Sequence, residues 1–537
     1  MVTDSLVDTQ DRSQRIEIGD GLVMRWSTRA DADDVADCVG EAFRWLPIGV
    51  KIKEDDDPVP NVSISAAAKR LLRGNSQVMS EYDYALVENT LAKPGQCRIV
   101  ACVSLQSASC YYGKTHLQIA RPELIGTHPD FRGRNLIRRL MFEMIHPASE
   151  ARGDVIQMIP GIPNYYRQFG YEYALGFFTV YQTPDFSKLI PALEKGDEES
   201  AQLRPPNRED IPYLVEMSTP EKSFINAGVG VFYTKDFWEY IVFDAPETAE
   251  SEHDITRFTR IIVDPKSGQD IGIVTGKLRG HTFHLYLLNL EKGHSYRDLY
   301  ISVLRQFVDV INGPTAYDLK VKEAAATEGE QPETQKPTIA EAETKDKKTE
   351  TLNKIKRFNH VLFPDHPVHQ LLSASYKPGP TYPRFFTRIN SYPDFFLKVA
   401  PTLEDRLANS GLAGITVTLH IDFYRKAVGC TGRGIEVVFE NGKIVRAQDW
   451  VPLAPEVKLK AARARIALAK QEGRPDKKPL EFQAGFPPLT FTRLVVGDLS
   501  LDQMLDVYTD CEVEEEEARL MLRILFPKVA HHLDIFW

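Results

Sequence analysis

The residues best placed to do chemistry lie at 124–145, Leu-Ile-Gly-Thr-His-Pro-Asp-Phe-Arg-Gly-Arg-Asn-Leu-Ile-Arg-Arg-Leu-Met-Phe-Glu-Met-Ile. A short apolar strand runs into a turn that holds Pro129 and Gly133 and carries Arg132 and Arg134. Leu136, Ile137, Leu140, Met141, Met144 and Ile145 then recur at i, i+3 and i+4, the period of a helix with one apolar face. A helix N-terminus leaves backbone N–H groups unbonded and carries the positive end of the helix dipole. Strand, basic turn and helix start together read as an anion site.

The other reactive side chains form weaker patterns. Cys38, Cys97, Cys102, Cys110, Cys430 and Cys511 are scattered with no Cys-x-x-Cys, so reduced thiols are expected. Cys102 and Cys110 lack a histidine at a recognisable spacing, which argues against an acyl-cysteine route. His531-His532 has no partner at metal spacing. Glu512 and the acids at 514–517 read as a solvated helix start, and no metal is expected.

The elements that must position the turn are strands and helices in mixed order. A strand is expected at 22–26, then a helix over 31–39 that Ser27 or Thr28 can cap. Residues 51–60 are a charged loop. Strands follow at 84–88, 97–105 and 111–125, and beyond the turn and its helix at 154–159 and 177–180. This describes an α/β domain over 21–190 after a loose terminus at 1–20. Gln202-Leu203-Arg204-Pro205-Pro206-Asn207-Arg208-Glu209-Asp210-Ile211 echoes Met24-Arg25-Trp26-Ser27-Thr28-Arg29-Ala30-Asp31. Residues 200–320 therefore read as a degenerate second copy, without an Arg-x-x-Gly turn and with no cofactor site. Lys, Glu, Ala, Thr and Gln dominate 322–352, the composition of a disordered charged linker. A third globular stretch runs over 355–537. It has alternating strands at 414–421 and 434–439, a hairpin turn at 440–443, a basic Ala-rich helical insertion at 457–478, and helices at 500–508 and 514–525. The fold class is α/β (α+β) with central mixed sheets.

The length of 537 residues suits three or four domains of about 100–200 residues each. The net charge of −10 argues against a general nucleic-acid binder and is compatible with a cationic small substrate. Asp4, Asp8 and Asp11 with no apolar run argue against a signal peptide. No apolar run approaches the ~20 residues of a membrane span. A cytoplasmic protein without nucleic-acid or membrane partners is expected.

Arg132-Gly133-Arg134-Asn135-Leu136-Ile137 resembles the acyl-CoA pyrophosphate loop of the GCN5-related N-acetyltransferase (GNAT) superfamily, Arg/Gln-x-x-Gly-x-Gly/Ala. Asn135 and Ile137 stand at the two glycine positions. Asn tolerates a left-handed backbone better than other non-glycine residues; Ile137 is expected to narrow the approach to the phosphates. The resemblance implies acetyl-CoA as cosubstrate, with its pantetheine arm on the preceding strand. The implied binding residues are Ile125, Gly126, Thr127, Arg132, Gly133, Arg134, Asn135, Leu136 and Ile137. Tyr166-Arg167-Gln168-Phe169-Gly170-Tyr171 resembles the segment in which a tyrosine of this superfamily faces the CoA sulfur. Aminolysis of a thioester expels a thiolate, which ionises near ~8.5, and a phenol near ~10 can return its proton at modest cost. Tyr165 competes for this role, and the spacing to Phe169-Gly170-Tyr171 favours Tyr166.

Two such domains followed by a sterol-carrier-protein-like domain resemble the layout of the enhanced-intracellular-survival (Eis) acetyltransferases. Phe385-Phe386-Thr387-Arg388-Ile389-Asn390 looks like the entry to that third domain. Leu489-Thr490-Phe491-Thr492, Leu525-Phe526-Pro527 and an aromatic last residue look like its end. The resemblance implies an oligomer and a terminal carboxylate, here that of Trp537, acting as base. Phe43 and Trp45, as aromatics, and Asp534, as an acid for an ammonium group, are assigned to the substrate pocket. The function implied is acetyl transfer from acetyl-CoA to a primary amine of a small or peptidic cation, by direct attack in a ternary complex. The competing readings are a silent CoA-binding scaffold of the same fold and a lipid carrier acting through the last domain.

Overall fold

The structure is a computed structural model. It describes residues 12–44, 58–73, 79–176, 180–183, 190, 193–194, 196–219, 221–222, 228–244, 255–313, 355–363, 365–372, 377–378, 384–426, 428, 431–471, 479–531 and 533. The chain forms two compact units. One comprises Met1–Gly176, Ala227–Val231 and Pro383–Ala530; the other comprises Phe177–Asn226, Phe232–Tyr382 and His531–Trp537.

The first unit begins with β1 (Arg15–Gly19) paired antiparallel to β2 (Leu22–Trp26). A loose terminus was expected at 15–19, yet Ile16 and Ile18 alternate with polar residues and pack on the core, which is enough to dock an edge strand. Helix α1 (Ala32–Ala42) follows a single turn in which Thr28 and Asp31 form a capping box. Helix α2 (Val62–Leu72) packs beside it. Strands β3 (Tyr84–Asn89), β4 (Ile99–Tyr112) and β5 (Thr115–Thr127) continue the sheet antiparallel. Helix α3 then runs from Leu136–Leu140 through a π turn, Met141–Ile145, to His146–Ala151. Pro147 has no N–H to give the carbonyl one turn back, and the ladder widens by one residue there. Strands β6 (Ile156–Ile159) and β7 (Glu172–Leu175) complete this part.

The sheet order is β1-β2-β3-β4-β5-β6, then Phe385–Ile389, then β7. The segment 385–389, which resembled an entry to a third domain, is thus a strand between β6 and β7, antiparallel to both. Two departures from a regular ladder shape the sheet. Strands β5 and β6 pair in parallel only at Ile119–Ile156 and Ala120–Gln157, so the rest of β5 splays away from β6. On its other edge β5 bulges: Cys102 faces Gly126 and Ser104 faces Glu123, leaving Leu124 and Ile125 opposite Val103 alone. Leu124 takes φ +49° to do this.

A buried polar cluster ties β6, α3 and the inserted strand together. The Gln157 carboxamide accepts from the Tyr171 hydroxyl, donates to Asn390 at 2.7 Å and lies 3.1 Å from His146 Nδ1. Val229–Val231 adds a strand antiparallel to β4, and the first unit holds a second, five-stranded sheet in the order Lys443–Trp450, Gly434–Glu440, Val417–Asp422, Glu481–Gly485, Glu512–Val513, with helix Tyr392–Ala408 on one face. The expected hairpin turn is present, with Asn441 and Gly442 at φ +49° and +76°. In helix Pro455–Gln471 nearly all of the described side chains are exposed.

The second unit repeats the first plan. Its seven-stranded sheet runs Lys377–Pro378, Tyr181–Thr183, Arg357–His360, Thr282–Leu290, Asp270–Arg279, Ile255–Val263, Gln202–Arg204. Helix Tyr296–Asn312 follows Thr282–Leu290, whose next partner, Arg357–His360, lies parallel to it. This matches β5, α3 and β6 in turn. The echo at 202–211 is also atomic. Arg25 grips Asp31 through two bonds of 2.7 and 2.9 Å, and Arg204 grips Asp210 through two of 2.7 and 2.8 Å. Asn207 and Asp210 form a second capping box. Among the described residues no helix is long and apolar enough to cross a membrane.

Two buried histidines predict an acid sensitivity. Burial pushes His146 down to about 3, with Arg388 adding to the effect. Burial also pushes His360 of the second unit down to about 3, with His369 and His366 adding. Both are neutral in the fold and take a proton near 6.5 once unfolded, so the unfolded chain binds more protons below that pH. Their contribution is complete above pH ~6.5 and is lost as pH falls towards ~3; at pH ~5 each loss is about 2 kcal/mol. Thermal unfolding should therefore shift steeply downward between pH ~6.5 and ~5. A flat profile would contradict the buried neutral state of both rings.

Candidate active site

The splay between β5 and β6 opens a cleft of about 990 Å³ in the first unit. The bulged end of β5 forms one wall, and the 132–137 turn closes one end. Residues 159–162 and the short helix Tyr165–Phe169 face them. All nine residues assigned to cofactor binding line this cleft, together with Tyr166 and Phe43. Trp45, Asp534 and Trp537 lie outside the described residues.

Backbone conformation explains the turn. Gly133 sits at φ +77° with nothing near its absent side chain, so it serves the angle rather than the space. Asn135 is left-handed at φ +58°, ψ +20°, and starts α3 from that position. The left-handed residue expected of a glycine is thus retained by asparagine. Ile137 lines the cleft and is 8% exposed, packed in the core with Leu136 and Leu140. Gly126 is needed for closeness. A Cβ there would meet that of Ala42 at 2.8 Å, so the end of α1, with Phe43, sits directly on the strand.

These angles make a paired prediction. Asn135→Gly keeps the turn and should bind acetyl-CoA at least as well as the natural chain. Asn135→Val forces a β-branched residue into the left-handed region at a cost of about 1–2 kcal/mol, and should weaken binding roughly tenfold or more. Calorimetric titration of both variants checks it; equal affinities would show that the turn does not hold the cosubstrate.

Tyr166 is 6% exposed, ringed by Tyr165, Phe169, Tyr171 and Phe386. Gly161, at φ +153°, lies flat against it: a Cβ there would be 2.8 Å from the ring and 3.3 Å from the hydroxyl. Among the described residues the Tyr166 hydroxyl has no hydrogen-bond partner. Burial raises its pKa well above that of an ordinary phenol, and Glu123 and Tyr165 add to this. Tyr165 also lines the cleft but is less buried.

Glu123 went unrecognised in the sequence. It is the one carboxylate lining the cleft among the described residues. Its side chain pairs with Arg121, which is 2% exposed and two residues back on the same strand face. Burial raises the Glu123 pKa, with Arg121 opposing. The alternation Arg121-Pro122-Glu123 was visible; the bulge that places Glu123 beside the cleft was not.

Residues 24–174 match the family described as acetyltransferase (GNAT) domain. The first domain is a GNAT acetyltransferase domain. Solved structures share the fold across nearly the whole chain. A GCN5-related N-acetyltransferase from Kribbella flavida has TM-score 0.54 at 15% identity, covering 98% of this chain and 100% of that one. A probable N-acyltransferase from Enterococcus faecalis has TM-score 0.56 at 11%, covering 96% and 99%. Eis1 from Mycobacterium abscessus has TM-score 0.50 at 11%, covering 95% and 99%. No curated protein matches the chain in sequence.

The second unit differs along the strand that takes the place of β5. On Thr282–Leu290, the strand equivalent to β5, the Tyr296 hydroxyl accepts from the Leu290 N–H at 3.1 Å. His366 Nε2 lies 2.7 Å from the Leu288 carbonyl. Among the described residues no group of acids, histidines and cysteines has metal-binding geometry.

Proposed function

We propose that the protein transfers the acetyl group of acetyl-CoA to a primary amine of a small or peptidic cation, by direct attack in a ternary complex. One observation carries this reading: a basic, glycine-containing turn at a helix start, a bulged strand and the buried Tyr166 line one cleft. The 132–137 turn would hold the pyrophosphate. The bulge at 124–125 would offer backbone groups to the pantetheine arm and the thioester. The acetyl group is the electrophile that CoA supplies. The amine attacks its carbonyl carbon, the C–S bond breaks, and the departing sulfur takes a proton from the Tyr166 hydroxyl. The burial that raises this phenol also raises a thiolate beside it, so the transfer stays near balance.

Two carboxylates are candidates to receive the amine's proton. The likeness to the Eis acetyltransferases favours the terminal carboxylate of Trp537, with Asp534, Phe43 and Trp45 around the substrate and a sterol-carrier-like fold for the last domain. The position of Glu123 in the cleft favours Glu123. An oligomer and a cytoplasmic location belong to the same proposed reading. Its test is thiol release from acetyl-CoA with polyamines, aminoglycosides and lysine peptides. Release should require an amine; acetyl-CoA binding without release for any amine would instead favour a silent scaffold.

A further inference from the structure

The phosphate end of the cleft holds more positive charge than a pyrophosphate needs. Arg44, Arg132, Arg134 and Arg138 line the cleft. Arg44 is neutralised by Glu41 at 2.6 Å. Among the described residues, none of the other three pairs with a carboxylate, and Arg132 reaches only the Ala42 carbonyl, at 3.3 Å. The contrast with Arg139 is direct. It lies next on the same helix, does not line the cleft, and is held by Glu143 through bonds of 2.6 and 2.8 Å.

Arg134 and Arg138 are held another way. The Arg134 guanidinium lies 4.9 Å from the ring centre of Phe131, and that of Arg138 lies 5.1 Å from that of Phe142. An aromatic face fixes a guanidinium without neutralising it. Such a pair is pre-ordered, still charged, and repelled by its neighbours until an anion arrives.

On the function proposed above, the cosubstrate brings two anionic groups. The pyrophosphate can be met by the turn's backbone N–H groups and Arg132. The 3′-phosphate of the adenosine is a monoester with nearly two negative charges at neutral pH and three acceptor oxygens. We propose that Arg134 and Arg138 form a subsite for this 3′-phosphate, so that the enzyme selects CoA over 3′-dephospho-CoA. A guanidinium fork can give two parallel N–H bonds to phosphate oxygens, which a dephospho form cannot accept.

Calorimetric titration of the full-length protein with acetyl-CoA and with its 3′-dephospho form tests this. The natural chain should prefer acetyl-CoA by roughly tenfold or more, the factor that one well-made charged contact supplies. Arg134→Gln and Arg138→Gln should each shrink that preference by weakening acetyl-CoA alone, with the dephospho form held within about twofold. Arg139→Gln should keep it, and thermal unfolding of each variant confirms that it folds. Equal affinity of the natural chain for the two forms would overturn the subsite and leave acetyl-CoA binding standing. Equal weakening of both forms by Arg134→Gln and Arg138→Gln would also overturn it, by assigning these arginines to the pyrophosphate. If the natural chain bound neither form, the acetyl-CoA reading would fall and this inference with it.

Discussion

Tyr166→Phe should lower kcat for amine acetylation roughly a hundred- to a thousandfold, the usual size of a general-acid contribution. The loss should fall on kcat, because the phenol meets the sulfur only as the thiolate departs, while acetyl-CoA affinity changes little. The substitution is conservative here: the ring stays packed among Tyr165, Phe169, Tyr171 and Phe386, and no hydrogen bond among the described residues is lost. The pH profile adds a second readout. Burial holds the phenol above its ordinary range, so it stays protonated and competent through neutral and mildly alkaline pH. No fall in kcat below pH ~10 should then trace to Tyr166. Unchanged kcat in Tyr166→Phe would remove the acid role and move attention to Tyr165.

Extending the chain by one glycine after Trp537 should cost at least about a hundredfold in kcat, with acetyl-CoA binding kept, if the terminal carboxylate takes the amine's proton. The extension moves that carboxylate by one residue and leaves the described cleft untouched. Glu123→Gln is the companion experiment. The Glu123 carboxylate is paired with Arg121, which draws it towards the charged form, while burial pulls it the other way. If the extended chain keeps full activity and Glu123→Gln loses it, the base is Glu123. Stability should be followed in Glu123→Gln, because it removes the ion pair between Glu123 and the buried Arg121.

Much of this site was legible because its signals are local. The 124–145 stretch carries its strand, its turn residues and its helical period in consecutive residues, and Asn135 is one of the few non-glycine types that could keep the turn. The Arg25–Asp31 and Arg204–Asp210 grips follow from one spacing used twice, which is why the second copy was visible despite its lost turn. The features that escaped are non-local. Phe385-Phe386-Thr387-Arg388-Ile389 reads as a strand from its own residues, but nothing in it names β6 and β7 as partners more than 200 positions away. The bulge at Leu124 depends on register against β4, and a one-residue slip of register leaves no mark in the sequence of β5. Glu123 was hidden for that reason.

The central claim is acetyl transfer from this cleft to a primary amine. It is tested most directly by counting, in one reaction, the thiol released from labelled acetyl-CoA and the label recovered on the amine. Equal amounts of both, appearing only when amine and acetyl-CoA are present together and falling in Tyr166→Phe, are predicted. Thiol release without labelled amine, or binding of acetyl-CoA with no release across the amine panel, would contradict it.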